Sequence, residues 1–574
     1  MSTARRLFGW AVIAAATSLV AAGMSGGCSG GGGSSSSSPP APPPTPVPNP
    51  TPAPTLDPHY RASAATPYAT NCDGVVIVGT VNANAEVEPS AASNPSNQQN
   101  IVGAWQQDRW SNGGARGIVA AASFDGGRTW ARRPMPFSRC GGGNSGNGGD
   151  FERATDPWIS FSPNGVVHQT ALGFSGATLQ PGSRSAILVN RSTDGGVNWG
   201  PTTTLILDGA DAFNDKNTIT ADPTDSRFVY AAWDRLTLIN TGPTWFSRSV
   251  DGGVTWEASR AIFDPGVGNQ TIGNVIAVSP NGTLVNLFMN LTGTASGQFT
   301  MAADVIRSTD SGVTWSAPIR IANILSVGTR DPDTNIPVRD SSLVPQIAVG
   351  ANGVFNVVWQ DSGFTNGVRD GIALSRSSDG GLTWSDPVQV NSTSAVAAFS
   401  PSVHVRGDGM TGISYFDFRS NTSLATTLPT DHRLARSSNG STFQDGLVAQ
   451  FDLAFAARTG TGNTTALFIG DYHALTSIAN VFVPFFVQTN ADTANRSDVF
   501  AAPAVSMTNT IPVGESTSPD SESVEYDAIP APEFEVSDTL RRRVSDNIIG
   551  QLDETWYANF KSRQAKKPVP QRRR

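Results

Sequence analysis

The sequence predicts an all-β chain of four-stranded units set around a ring, a β-propeller, followed by one amphipathic helix. Three observations predict it. A short phrase recurs as SFDGGRTW at 123–130, STDGGVNW at 192–199, SVDGGVTW at 249–256, STDSGVTW at 308–315 and SSDGGLTW at 377–384, with a worn copy, SSNGSTF, at 437–443. A period of roughly sixty residues marks a radial or solenoid repeat. Between the copies, apolar runs of strand length are bounded by Gly, Pro and Asn. Beyond residue 505 this pattern gives way to apolar residues at every fourth position.

In chain order, the first element is a targeting segment, 1–28. Arg5 and Arg6 form its charged region and Leu7–Ala22 its apolar region, which is too short and too rich in small residues to read as a membrane span. It ends in Ser25-Gly26-Gly27-Cys28, which resembles the lipobox of bacterial lipoproteins and implies lipidation at Cys28. Ordinary cleavage and secretion is the alternative. Residues 29–70 run Gly, then Ser, then Pro, a flexible and then stiff tether. Both readings place the protein in or beyond the bacterial cell envelope, the first with a lipid anchor in a membrane. Cys72 and Cys140 are the other two cysteines, and an even pair in an oxidising compartment usually bridges. Only 15% of the residues are charged and the formal net charge is −8, which argues against a nucleic-acid partner.

The repeats claim 71–505. Each phrase reads as a hairpin turn. Asp125, Asp194, Asp251, Asp310 and Asp379 accept turn amides, and the Gly pair supplies positive φ. Trp130, Trp199, Trp256, Trp315 and Trp384 close the turns and bury apolar area. Each turn joins the third and fourth strands of a meander. First strands read EPSAAS (88–93), DPWISF (156–161), TITADP (218–223), VIAVSP (275–280), PQIAVG (345–350), PSVHVR (401–406) and DYHALT (471–476). Counting these gives seven units, whereas counting the phrase gives six, so a six-bladed ring is the alternative. The seventh unit stops after its third strand, near Ala504, and its fourth is expected from Val75–Gly79. The glycine-rich stretch 137–153 is expected to be a long mobile loop. Residues 506–536 read as linker. In 537–574, Leu540, Val544, Ile548, Leu552, Trp556 and Phe560 form one face of an amphipathic helix with a basic tail. That face is expected to dock on the ring, with a protein partner or a membrane surface as the alternatives.

The strand order puts the repeated turns on one face and the functional mouth on the other. Second strands end at Asp108-Arg109, Asp234-Arg235, Asp361, and Asp417 with Arg419. First strands begin near Glu88, Asp156, Lys216, Asp471, Tyr472 and His473. A ring aims these groups at one axis. The Asp-Arg repeats fit a salt-bridge ring between units. The non-repeating residues Glu88, Asp156, Lys216, Tyr472 and His473 fit acid–base chemistry, because crowded charges shift one another's pKa values. No metal-ligand spacing, phosphate loop or nucleophile elbow is present, so no metal or cofactor is expected.

The repeated phrase resembles the Asp box, or BNR repeat, of the sialidase-like propellers. The resemblance covers about 75–505 and implies the fold. It also implies a site acting on a glycan or glycoconjugate, with Tyr472 as nucleophile, Glu88 as its base and Asp156 as acid/base. Arg109, Arg235 and Arg419 would supply cationic grip, and Asp108, Lys216, Asp234, Asp361, Asp417, Asp471 and His473 would line the mouth. One departure weighs against a strict sialidase. The Phe-Arg-Ile-Pro stretch that opens the first blade in that family reads Glu86-Val87-Glu88-Pro89 here. Two functions follow: a glycoside hydrolase, or a non-catalytic module binding a carbohydrate or protein, with the helix as a possible contact for a surface complex.

Overall fold

Apolar runs bounded by turn residues become seven antiparallel meanders of four strands each. The structure is a computed structural model and describes residues 57–460, 465–504 and 524–565. The targeting segment, Cys28, the tether up to residue 56, residues 505–523 and the tail 566–574 lie outside the described residues. The first strands are Val87–Asn94, Arg153–Phe161, Ala212–Ala221, Asn269–Val278, Gln346–Val349, Ala398–Val405 and Ala474–Ile478. They touch in a closed cyclic order, each packing on the next and the seventh packing back on the first. Fully buried Trp105, Trp233 and Trp359 stand at the same place in the second strands of three meanders, and with Phe485 and Phe288 fill the space between sheets.

The repeated phrase forms a tight hydrogen-bonded turn. In the first copy, Ser123 Oγ donates to Asp125 Oδ1 (2.8 Å) and accepts from the Gly127 amide (2.8 Å). Asp125 Oδ1 accepts the amides of Arg128 (3.0 Å) and Thr129 (2.9 Å), and Oδ2 accepts the Thr129 hydroxyl (2.6 Å). Gly126 and Gly127 both have positive φ, 74° and 91°. Asp194, Asp251, Asp310 and Asp379 make the same pattern, and in the sixth copy Asn439 stands in for Asp.

The ring closes differently from the expectation. The fourth strand of the seventh meander is Tyr60–Arg61, paired with Phe500 and Ala501, not Val75–Gly79. Val76 and Val78 are 92% and 69% exposed. The reason is a pin at each end of the arm. Ala62 and Tyr68 are buried beside the closing strand, and Cys72 is disulfide-bonded to Cys140 of the first meander's outer loop. That bond holds 75–79 away from the seventh meander. The body therefore begins before residue 70. The 137–153 loop is pinned as well: Phe137 and Phe151 are buried, and Arg139 and Gly143 donate backbone N–H groups to Phe151 and Ser138. Its glycines allow close backbone approach, since a Cβ on Gly149 would lie 1.9 Å from the Pro136 carbonyl oxygen.

Two inter-meander links depart from the repeat. The link after Ile324 carries Thr329–Arg330 and Pro337–Val338, and the link after Asp452 carries Ala457–Thr459 and Ala466–Phe468. They form one small sheet, with Val338 paired to Leu467 in parallel.

The predicted linker is partly structured. Val524–Asp527 adds a strand to the sixth meander and Ile529–Pro530 to the fifth. The predicted single helix is two, α1 (Asp538–Gln551) and α2 (Glu554–Ala565). Leu552 is extended, and the Asp553 carboxylate accepts the Trp556 amide at 2.8 Å, which starts the second helix. The apolar face docks on the body: Leu540, Val544, Ile548, Leu552, Trp556 and Phe560 are all buried, with Phe560 against Phe299. Among the described residues no helix is long and apolar enough to cross a membrane.

Candidate active site

Five first strands share one irregularity where they reach the ring axis. Their register slips between Val87 and Ser90, Thr155 and Trp158, Asp215 and Thr218, Ile272 and Val275, and Phe399 and Ser402. The slip is a β-bulge, and its residue has positive φ: Glu88 53°, Asp156 51°, Lys216 47°, Gly273 71° and Ser400 49°. Glycine adopts that conformation freely, whereas the other four hold it under about 1 kcal/mol or more of strain each. Three of these strained positions carry a charge, and the bulge turns all three toward one point.

At that point Lys216 Nζ lies 2.7 Å from Asp471 Oδ2, 3.1 Å from Asp156 Oδ1 and 3.6 Å from Glu88 Oε1. Asp471 is also gripped by Arg339, Nε to Oδ1 at 2.7 Å and Nη2 to Oδ2 at 2.8 Å. Gln106 Nε2 donates to Glu88 Oε2, and the Asp471 amide to Glu88 Oε1 at 3.4 Å. Arg109 stands close enough to act on Glu88, and its guanidinium donates to Gln106 Oε1 at 2.9 Å. Asp215 and Asp234 adjoin the group. Five carboxylates thus share Lys216, Arg339 and Arg109.

That excess of acid in a buried place separates the pKa values. Burial pushes Glu88 up to about 7 against the pull of Lys216, and Asp156 and Asp471 add to the rise. Burial also raises Asp156 and Asp215 despite Lys216. Asp234 is raised well above the carboxylate range by burial and by Asp215, and both its oxygens are buried without a hydrogen-bond partner. Asp471 goes the other way. Burial opposes it, but Arg339 and Lys216 hold it well below the usual range. Lys216 is raised well above its ordinary value: burial opposes this, and Asp156, Asp471 and Glu88 outweigh it. One ionised carboxylate and one that titrates near neutrality therefore sit side by side, the pattern from which acid and base roles are assigned. Asp156 Oδ2 is buried and unpartnered, an acceptor without a donor.

The remaining expected residues are placed elsewhere. The Tyr472 hydroxyl donates to the Pro157 carbonyl at 3.1 Å, and its ring meets Trp158 edge-on at 5.1 Å. Burial, then Glu88, Asp156 and Asp471, push its pKa well up, the opposite of what a tyrosine nucleophile needs. His473 is packed between Phe416 and His432 with Nε2 2.8 Å from Ser414 Oγ; burial takes its pKa down to about 3, so it is neutral. Arg235 pairs with Asp208 through two bonds of 2.7 Å, a clamp between the second and third meanders. Arg419 pairs with Asp417 and Asp445 inside the sixth. Asp361 accepts the Trp359 indole N–H and the Gly363 amide, and Asp108 accepts the Thr66 hydroxyl and the Asn84 amide. These residues tie the body together.

Sequence reasoning missed Arg339 as a site residue, whereas Gln106 and Asp215 stand at the strand ends expected to face the axis. Arg339 lies in the longer link after Ile324, and that extra length was its only signal. The bulges had a signal too: Glu88-Pro89, Asp156-Pro157 and Ser400-Pro401 repeat an X-Pro step at the strand start.

Above the Arg339–Asp471 pair opens a cleft of about 1380 Å³. Its walls are the small sheet, the loops at Arg369 and Arg419, and one side of α1.

No protein-family model and no curated protein matches the chain. Among solved structures it is similar to the α-L-arabinofuranosidase Arb93A from Fusarium graminearum, at 13% identity and a TM-score of 0.41 over 63% of this chain and 92% of that one. It is similar to the α-L-arabinanase of Penicillium chrysogenum, at 11% identity and a TM-score of 0.40 over 79% and 99%. It is also similar to the NanB sialidase of Streptococcus pneumoniae, at 13% identity and a TM-score of 0.39 over 61% and 67%. Activity does not transfer across such distances, and what the site does has to be read from its own groups.

Proposed function

We propose that the chain is an exported seven-bladed propeller that hydrolyses glycosidic bonds at its axial carboxylates. The seven meanders and their cyclic contacts support the blade count, and the repeated turns support reading them as Asp-box hairpins. The lipobox-like Ser25–Cys28 stretch supports a lipid anchor at the cell envelope. The observation that carries the activity is the split between Glu88, pushed up to about 7, and its ionised neighbour Asp471. Glu88 serves as general acid toward the leaving oxygen, because burial raises its pKa and favours its protonated form. Asp156, whose second oxygen is unpartnered, faces the developing positive charge of the sugar or activates water. Lys216 and Arg339 keep Asp471 ionised, and Asp471 in turn positions Lys216 between the other two carboxylates.

A second reading is favoured by burial. Glu88 is only 2% exposed and Asp156 1%. A cluster so enclosed also suits a rigid hub beneath a non-catalytic glycan-binding mouth. Hydrolysis of a panel of aryl glycosides, with Glu88→Gln and Asp156→Asn as variants, separates the two. Turnover that collapses in both folded variants supports the hydrolase. No turnover from the folded wild type leaves the binding reading, and turnover that survives both variants places the catalysis outside the axial carboxylates.

A further inference from the structure

The cleft above the axial cluster is cationic in a chain whose net charge is −8. Six of its lining residues are arginines, and two are aspartates, Asp333 and Asp546. Arg339 and Arg419 are neutralised by Asp471, Asp417 and Asp445. The other four have no carboxylate within ion-pair distance among the described residues. Three of those four are aimed by backbone carbonyls, which orient a guanidinium without cancelling its charge. Arg330 donates to Asn335 (3.1 Å), Arg369 to Ser394 (2.8 Å), and Arg543 to Gly367 (2.5 Å) and Val368 (3.3 Å). The fourth, Arg458, comes from the second link. These arginines come from two inter-meander links, a blade loop and α1, so three of the four are supplied by parts of the chain that depart from the repeat.

We propose that this cleft binds an acidic polysaccharide, a glycan chain bearing carboxylate or sulfate groups along its length; the identity of the polymer as a glycan rests on the function proposed above. Guanidinium forks match carboxylate and sulfate oxygens two at a time. The volume, about 1380 Å³, exceeds the roughly 300–1,000 Å³ that a drug-sized ligand fills, which suits several sugar rings rather than one. Arg339 lines the cleft and holds Asp471, so a chain lying there runs up to the axial carboxylates. α1 supplies Arg543 and Asn547, which gives the C-terminal arm a place in the site as well as in the core.

The test is affinity electrophoresis of the full chain in gels carrying polygalacturonate, dextran sulfate or neutral dextran. The variants are Arg369→Ala, Arg458→Ala and Arg543→Ala, with Arg133→Ala, on the exposed outer strand of the first meander, as control. The expected result is retardation by at least one polyanion, weakened about three- to tenfold by each cleft variant and not by Arg133→Ala, and falling as salt rises. Preference for polygalacturonate or for dextran sulfate tells carboxylate from sulfate. Equal retardation by dextran, no retardation in any gel, or equal loss in the Arg133→Ala control overturns the proposal. The hydrolase reading fails separately: a chain that binds the polymer through these arginines but cleaves no glycoside keeps the cleft and loses the catalysis. Circular dichroism melts of each variant distinguish lost binding from lost folding.

Discussion

Lys216→Met is the perturbation that best interrogates the axial cluster. It nearly preserves volume and removes the one ammonium that Asp471, Asp156 and Glu88 share at 2.7, 3.1 and 3.6 Å. Breaking a buried ion pair by deleting one partner costs about 3–5 kcal/mol. The unfolding entropy of a body this size is about 1 kcal/mol/K, so the midpoint should fall by about 3–5 °C. The loss has to depend on pH. Without Lys216, at least one more carboxyl takes up a proton on folding, which costs about 1.4 kcal/mol for each pH unit above its unfolded value. In the variant the folded pKa values are raised above the unfolded ones. Its stability is therefore close to wild type near pH 4 and is lost as pH rises. At pH 5 the cost is about 1–2 kcal/mol, and the full loss is reached near neutrality. Thermal melts of both proteins between pH 4 and 8 measure it. A deficit constant across that range would refute the shared-cation account, because it would place the loss in packing rather than charge.

Two further outcomes follow from the same contacts. Glu88 is raised from its ordinary value to about 7, so wild type should lose stability relative to Glu88→Gln as pH climbs from about 4.5 to 7 and stay level above that; pH-dependent melts check the sign. Trp556→Ala empties a fully buried site where the ring stacks on Phe560 and the backbone carbonyl accepts from Asn240, so α1 and α2 should exchange amide hydrogens much faster while the meanders do not, as mass-resolved exchange will report.

Much of the framework was legible in the residues because it repeats. The turn phrase sets Ser, Asp and two glycines at fixed offsets, which four copies keep in full and the copies at 308–315 and 437–443 keep in part. Period-four apolar residues located the C-terminal face, although Asp553, which restarts the helix, looked like any other surface acid. The closing strand was misplaced because two candidate segments compete for one edge. The winner, Tyr60–Arg61, is polar and two residues long, and what holds it is tertiary: buried Ala62 and Tyr68. In the site, Glu88, Asp156, Lys216 and Asp471 were legible because they stand at equivalent strand starts. Tyr472 and His473 stand beside Asp471 without its function, because the Tyr472 hydroxyl turns to the Pro157 carbonyl and the His473 ring packs between Phe416 and His432. Arg339 was hidden in a link without any repeat partner, where sequence position says nothing about which strand end it will face.

The closing strand has a consequence for synthesis. Tyr60 and Arg61 leave the ribosome among the first residues of the body, yet their partners, Phe500 and Ala501, follow roughly 440 residues later. At about 5–20 residues per second, the nascent chain spends tens of seconds with its first segment unpaired and each newest meander exposing an open edge. The final clasp is then a two-pair ladder, extended by the Ala62 and Ser63 amides on the Val499 carbonyl and by Arg61 on Asp498, at the point where the N-terminal arm enters the ring. Any pull transmitted along that arm is applied to the last bonds to form.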